Sequence, residues 1–354
     1  DRVMEKAIVV GGVAASGRYW AVVHDGKGNV LRRTHPGPNK LTKKLFNDLL
    51  SGAAFYGAPV VGAGNTPATE SDVTLQTYLG KANSVEVVAG SYQYTDTPDV
   101  DGYLWMKQTF VAHYLPTRLG SSAVNVSEAG FSSDSIGNTT GTTPLYSRGL
   151  LVDDMGAPTS ISYDANNEYL DVYWELTWWV PAEISGTVTL NILGTNIVHD
   201  YVVRPSNWRQ LTSTSNSNWN MPYADGNGIV FFTLGMVVSD GILSPGNAAE
   251  TYAASGPLGT FTQYPTATGG RFMLSAAVMQ PFTTDKQRDW EIQFAPANGN
   301  VAGGIGVLHI GTRSSSGPYG SLIGATWQIS LSPKIDKTST RNFNFTIRCA
   351  MGNK

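Results

Sequence analysis

Five histidines, one cysteine and several closely spaced carboxylates are the candidates this 354-residue chain offers for metal, nucleophilic or acid–base chemistry. His24, His35, His113, His199 and His309 are far apart, and none falls in the H-E-x-x-H or H-x-H spacing that would bring two imidazoles onto one metal. His199-Asp200, beside an expected strand, is the pair to watch. Cys349 has no histidine near it in sequence and no G-x-S-x-G elbow is present, so nucleophilic hydrolysis has no support. The expectation is a chain with no catalytic residues, no metal site and no cofactor.

The carboxylates read the same way. Asp171 and Glu175 are four residues apart on an expected strand, roughly 13 Å along its axis, which exceeds the separations that serve either glycosidase geometry. They are expected on a solvated face. Asp96, Asp99 and Asp101 sit in a Pro/Asp-rich turn whose Asp99-Val-Asp-Gly102 segment lacks the third acidic position and closing Glu of a calcium loop, so turn formation explains them. Ala7-Ile-Val-Val-Gly-Gly-Val-Ala-Ala-Ser-Gly17 looks like the opening of a dinucleotide fold. A phosphate cradle needs a helix N-terminus after the glycines, whereas Arg18-Tyr-Trp-Ala-Val-Val23 is aromatic and β-branched and continues as a strand. Among the aromatics, Trp174 and Trp178 read as core, whereas Trp179, Trp208 and Trp219, with Tyr223, fit a core or a sugar- or protein-binding surface equally well. N-x-S/T triplets start at Asn125, Asn138 and Asn344 and carry little weight without a secretory context.

The elements that must position these residues are strands. Charged residues make up 14 % of the chain against 39 Gly and 18 Pro, a composition of short strands and many tight turns. Tyr169 to Val180 gives the clearest pattern: Leu170, Val172, Trp174, Leu176, Trp178 and Val180 alternate onto one buried face, with Asp171, Tyr173, Glu175, Thr177 and Trp179 opposite. Pro181 is expected to stop this strand and Gly186 to turn it into a hairpin with Thr187 to Leu193. Ala7 to Val10, Tyr19 to Val23 and Val30-Leu31, around the turn Asp25 to Asn29, predict a meander. Further strands are expected at Val85 to Val88, Leu104 to Leu115, Ile229 to Val238, Arg271 to Gln280, Trp290 to Phe294, Gly306 to Ile310, Ala325 to Leu331 and Asn342 to Cys349. One amphipathic helix is expected from Asn39 to Leu50, with Leu41, Leu45, Leu49 and Leu50 on one face and Asn39 or Thr42 as its cap.

The fold class that results is all-β, mainly an antiparallel β-sandwich or jelly roll, with one or two short helices. No period of 20 to 50 residues repeats, which disfavours solenoids and propellers. The expected division is an N-terminal β-rich domain over 1–115, a loop or arm over 116–160 where Ser, Thr, Gly and Asn crowd out periodic apolar positions, and a C-terminal β-sandwich over 161–354. A net charge of −3 with scattered Lys and Arg argues against a nucleic-acid partner. A lone cysteine excludes an intrachain disulfide framework and fits a reducing cytoplasm. Residues Asp1 to Lys6 do not read as a signal peptide, and no apolar run of about 18 residues exists to insert in a membrane as a helix, so a soluble chain is expected.

Two segments carry a family resemblance. Asn39-Lys-Leu-Thr-Lys-Lys-Leu-Phe-Asn-Asp-Leu-Leu50, followed by Val60-Val-Gly-Ala-Gly-Asn-Thr-Pro-Ala-Thr-Glu-Ser-Asp-Val-Thr-Leu75, resembles a pattern of bacteriophage tail, baseplate and tail-fibre proteins, a short helix and then a strand ending in VGxGxTPxxxxDxxL. Ser332-Pro-Lys-Ile-Asp-Lys-Thr338 before a closing strand is similar to how such proteins finish. The resemblance covers about a fifth of the chain. It implies a non-enzymatic virion subunit, assembled in the host cytoplasm, whose partners are copies of itself and other virion proteins. An alternative that it leaves open is a receptor- or carbohydrate-binding tip that touches a host surface glycan. The signature also has a plain physical reading. Gly62 and Gly64 permit tight backbone, Pro67 fixes a turn, and Asp72 caps a segment that buries Leu75 and Leu79.

Overall fold

A computed structural model describes residues 7–9, 12–50, 57–95, 97–133, 144–192, 194–206, 235–239, 252–253, 260–261, 272–273, 276–294, 305–311, 326–335 and 343–354. Strands β1 (Ala7–Val9), β2 (Val13–His24), β3 (Val30–Arg33) and β4 (Gly37–Leu41) precede the helix α1 (Lys43–Leu50). After it come β5 (Ala58–Gly62), β6 (Tyr78–Lys81), β7 (Ser84–Val87), β8 (Gln93–Tyr94) and β9 (Tyr103–Tyr114). The middle of the chain forms β10 (Val124–Val126), β11 (Glu128–Ser132), β12 (Leu145–Leu150), β13 (Ile161–Tyr163) and β14 (Tyr169–Pro181). Next are β15 (Ile184–Ile192), β16 (Thr195–Ser206), β17 (Gly235–Ser239), β18 (Tyr252–Ala253), β19 (Thr260–Phe261) and β20 (Phe272–Met273). The last are β21 (Ala276–Thr284), β22 (Gln287–Phe294), β23 (Ile305–Gly311), β24 (Thr326–Ile335) and β25 (Phe343–Asn353). The fold is all-β, with a single helix among the described residues.

β14 is the central strand. It pairs antiparallel with β2 on one side, Tyr169 opposite His24 through Trp179 opposite Ala14, and with β9 on the other, Leu170 opposite Tyr114 through Pro181 opposite Tyr103. Its inner face packs on a second sheet, β4-β12-β11-β5-β6. Trp174 meets Phe131 of β11 at 4.5 Å between ring centres and Phe110 of β9 at 5.9 Å, and the Tyr19 hydroxyl lies 2.6 Å from Ser147 of β12. β4 is the corner between the two sheets. Its Gly37 and Pro38 pair with β2, and Asn39 to Leu41 pair with β12, a strand that switches sheets as corner strands do. A further sheet, β15-β16-β24-β23-β17-β20, shares one core with β25, through Val188, Leu190, Tyr201, Ile329, Phe345 and Ile347.

Three expectations are corrected. The helix occupies only Lys43–Leu50, because Asn39 and Leu41 are taken by β4; Thr42 is the residue before it, donating to the Leu145 carbonyl at 2.5 Å. The described residues of the segment 116–160 form strands rather than an arm. They supply β10, β11 and β12, whose Glu128–Ser132 and Leu145–Ser147 stretches are buried throughout, and strands from 1–115 and 161–354 pair directly in one hydrogen-bonded sheet. A strand buried on both faces has no reason to alternate, so periodicity could not reveal it. The hairpin after Pro181 joins β15 to β16, with its turn at Gly194, where φ is +84° and the Asn191 side chain accepts from the Gly194 amide. Gly186 instead lies inside β15, where a Cβ would come 2.6 Å from the Tyr201 hydroxyl. Of the other expected strands, residues 10, 229–234, 271, 274–275, 325 and 342 lie outside the described residues, as do 336–338 of the C-terminal resemblance.

Candidate interaction face

The signature segment proves to be held from beneath by a buried ion cluster. Glu128 and Arg148 lie on neighbouring strands β11 and β12, fully buried and 3 % exposed respectively, and the Arg148 Nε donates to Glu128 at 2.7 Å. Glu128 also accepts from the amides of Gly64 and Thr77, both at 2.9 Å, and of Gln76 at 3.3 Å. Arg148 reaches Asp72 at 2.9 Å and the carbonyl of Thr66 at 2.9 Å. Gly64, Thr66, Asp72, Gln76 and Thr77 are thereby fastened to one buried carboxylate or one buried guanidinium. Gly62 and Gly64 are required because a Cβ on either would come 2.5 Å from the Glu128 carboxylate. Leu75 is buried with Val60 and Leu145, whereas Leu79 is only partly buried. Burial works against ionisation of Asp72, but the bonds from Thr69 and Arg148 outweigh it and hold its carboxyl below the ordinary range. With both partners this enclosed, the cluster organises the loop and is closed to a substrate.

The outward face of β2, β14 and β9 is different. Rows of rings and rows of charges alternate along it, about 7 Å apart because every second residue of a strand returns to one face. Tyr169 and His24, a directly opposed pair, stack at 5.4 Å between ring centres. In the next row Asp171 lies between two imidazoles, 2.7 Å from His113 Nδ1 and 3.3 Å from His24 Nε2. Tyr173 and Trp20 stack in parallel at 5.1 Å and 2°. Glu175 then takes Arg18 at 2.5 Å and Lys107 at 3.6 Å. At the far end Trp179 lies against Trp105, with its indole N–H donating to Ser16 at 3.0 Å.

This geometry decides several candidates. The two histidines brought to one carboxylate are His24 and His113, from β2 and β9 on either side of β14, while His199 is buried with its Nδ1 on the Pro333 carbonyl at 2.6 Å, and Asp200 is exposed. All four ring nitrogens of His24 and His113 have partners, the remaining two being the Asp25 carbonyl at 2.9 Å and Glu86 at 3.5 Å. The row is a clamp in which one carboxylate is held between two imidazoles. Asp171 and Glu175 belong to separate clamps and share no partner. Trp174 and Trp178 are buried and Trp179 is half-buried on the outer face; Trp208, Trp219, Tyr223 and Asp96 lie outside the described residues. Cys349 is buried and desolvation pushes its thiol well up, which makes it a poor nucleophile. Asn125 and Asn344 are exposed, and Asn138 lies outside the described residues. Among the described residues no group of three or more His, Cys, Asp or Glu is arranged to hold a metal, and no helix is long and apolar enough to cross a membrane.

A concavity of about 420 Å³ opens where the β15–β16 tip faces β22 and β25. Asn191, Asn196, Asn344, Glu291, Thr189 and Thr346 line it, with Leu190 and Phe345. Sequence reasoning located Asp171, Glu175 and Trp179 but missed Glu128, Arg148 and the His24–Asp171–His113 row. Each of these depends on strand pairing across 20 to 147 residues, for which the chain carries no local signal.

Together these features define an all-β protein with sheet edges left open among the described residues and a mixed aromatic and charged outer face. No protein-family model matches the chain, no curated protein matches it, and no solved structure matches it.

Proposed function

We propose that this chain is a non-enzymatic structural subunit of a bacteriophage virion, of the tail, baseplate or tail-fibre kind, that assembles with copies of itself and with other virion proteins. The observation that carries the assembly reading is the state of the sheet edges. Among the described residues β15 pairs only with β16, β21 only with β22 and β3 only with β2. β3 is exposed along its whole length, with Val30 61 % and Leu31 47 % open, and Phe282 on β21 is 37 % exposed. Free edges that carry apolar side chains recruit a further strand, so a monomer in solution would be prone to aggregate and an assembled subunit would not. Support for the virion setting is the resemblance of residues 39–50 and 60–75, whose Gly62, Gly64, Pro67 and Asp72 all have a folding role around Glu128 and Arg148.

A second reading, attachment to a host glycan, is favoured by the amide- and hydroxyl-lined cleft between β15–β16 and β22–β25, since Asn and Glu side chains suit vicinal hydroxyls. Light scattering on the purified chain separates the two when combined with a glycan array. The assembly reading expects a solution mass that is a multiple of 37.9 kDa, reduced to one copy by Val30→Lys with Leu31→Lys, and no glycan bound. A strictly monomeric native chain that is absent from particles refutes it.

A further inference from the structure

At one end of the outer face an ammonium group is already enclosed. The Lys354 Nζ lies 3.8 Å from the centre of the Trp179 ring and 4.3 Å from that of Tyr103. It also lies 3.0 Å from the Asp99 carboxylate and 3.6 Å from that of Asp101. Cation–π attraction operates to about 6 Å, so both rings act at close range, and two carboxylates face one positive charge. Occupied, the cluster keeps a formal charge of −1, from two carboxylates and one ammonium; without the lysine it would be −2.

The walls do not need the lysine to stand. Asp99 heads a turn in which its Oδ1 accepts the amides of Asp101 at 3.0 Å and Tyr103 at 2.8 Å, leaving Oδ2 to the ammonium. The Gly102 amide closes the same turn on the Asp99 carbonyl at 3.0 Å with φ at +79°, a conformation suited to glycine. Trp179 is fixed by its bond to Ser16 and by Trp105 at 6.5 Å. Tyr103 is the β9 residue paired with Pro181 beside it. The backbone bond to the Tyr103 amide, above all, holds the Asp99 carboxyl below its ordinary range, so the charge persists at neutral pH. Lys354 follows the last residue of β25, its own amide donates to the Ala15 carbonyl at 3.0 Å, and its side chain is a quarter exposed.

We propose that Trp179, Tyr103, Asp99 and Asp101 form a binding site for alkylammonium groups, that Lys354 fills it as an internal ligand, and that an external lysine-like or quaternary ammonium takes the same place when Lys354 is displaced. This does not rest on the virion reading. A tethered group competes at an effective concentration on the millimolar scale, so removing it should strengthen external binding on the order of tenfold or more. The test is n-butylammonium and tetramethylammonium titrated against the full chain at constant ionic strength, read by tryptophan fluorescence and calorimetry. Lys354→Ala is expected to bind n-butylammonium saturably and at least about tenfold more tightly than the native chain. Adding Trp179→Ala to it should abolish binding, and adding Asp99→Asn should weaken it. Equal binding to the native chain and to both variants, or none to a folded Lys354→Ala protein, overturns the site. An arm that does not depend on that variant folding uses the native chain with its lysines reductively methylated with a carbon-13 label. One methyl signal should be shifted upfield by the rings, lost in Lys354→Arg and restored to the ordinary position in Trp179→Ala; no upfield signal refutes the enclosure.

Discussion

Replacing Glu128 by Gln tests whether the loop of residues 62–77 is held by charge or merely by shape. The carboxylate is fully buried and accepts four hydrogen bonds, three from backbone amides and one from Arg148, itself 3 % exposed. Gln keeps the volume and one acceptor oxygen, which satisfies Gly64 and Thr77, but turns an NH₂ toward the Gln76 amide and the Arg148 Nε. Donors then face donors, and a guanidinium loses the closer of its two carboxylates. Removing one partner of a buried pair costs about 3–5 kcal/mol, because the other charge is left without compensation. Arg148→Met should cost a similar amount, since it strands Glu128 and takes donors from Asp72 and the Thr66 carbonyl. The double variant removes both charges and should lose less than the two singles combined, by roughly 0.5–3 kcal/mol. Urea unfolding followed by tryptophan fluorescence measures all three, and limited proteolysis should cut first within 62–77 in the single variants. A loss below about 1 kcal/mol in either single, or strict additivity in the double, would refute the claim that the cluster fastens the loop.

Trp174→Ala should cost about 3–5 kcal/mol, because the ring fills the space between Tyr19, Phe110 and Phe131 and the two sheets would have to collapse on the cavity; thermal or urea unfolding checks it. In alkali, burial raises the pKa of Tyr19 and Tyr114 above the ordinary value near 10. Their contribution is therefore complete below that pH and should fall by about 1.4 kcal/mol per pH unit for each above it, with phenolate absorbance at both appearing only on unfolding. In acid, the Asp72 carboxyl and that of Glu70, held low chiefly by Lys286, are depressed in the folded state, so their contribution is present above about pH 4 and lost as pH falls through the lower folded values; an unfolding midpoint that is flat from pH 5 to 2 would contradict this. Cys349 should resist a thiol-specific maleimide in the native chain and react on unfolding, since the side chain is 1 % exposed.

By itself the sequence determined the class of fold and the faces of its clearest elements. Six alternating apolar residues oriented β14 correctly, the aromatic run after Gly17 ruled out a phosphate-binding helix, and the Leu45 to Leu50 spacing marked the helix, because periodicity and turn chemistry are local properties of a chain. Tertiary structure alone decided which strand lies beside which. That choice puts β2 next to β14, brings Asp171 between His24 and His113, and seats Arg148 on Glu128 beneath the 62–77 loop. β11 and β12 stayed hidden for the same reason: Glu-Ala-Gly-Phe-Ser and Leu-Tyr-Ser-Arg-Gly-Leu are buried on both faces, with Gly130 opposite Arg148 to admit Leu75, so small and charged residues stand where a half-buried strand would have alternated. Pairing is a contest between all segments for partners, settled by packing across the whole molecule, and no stretch of residues records its outcome.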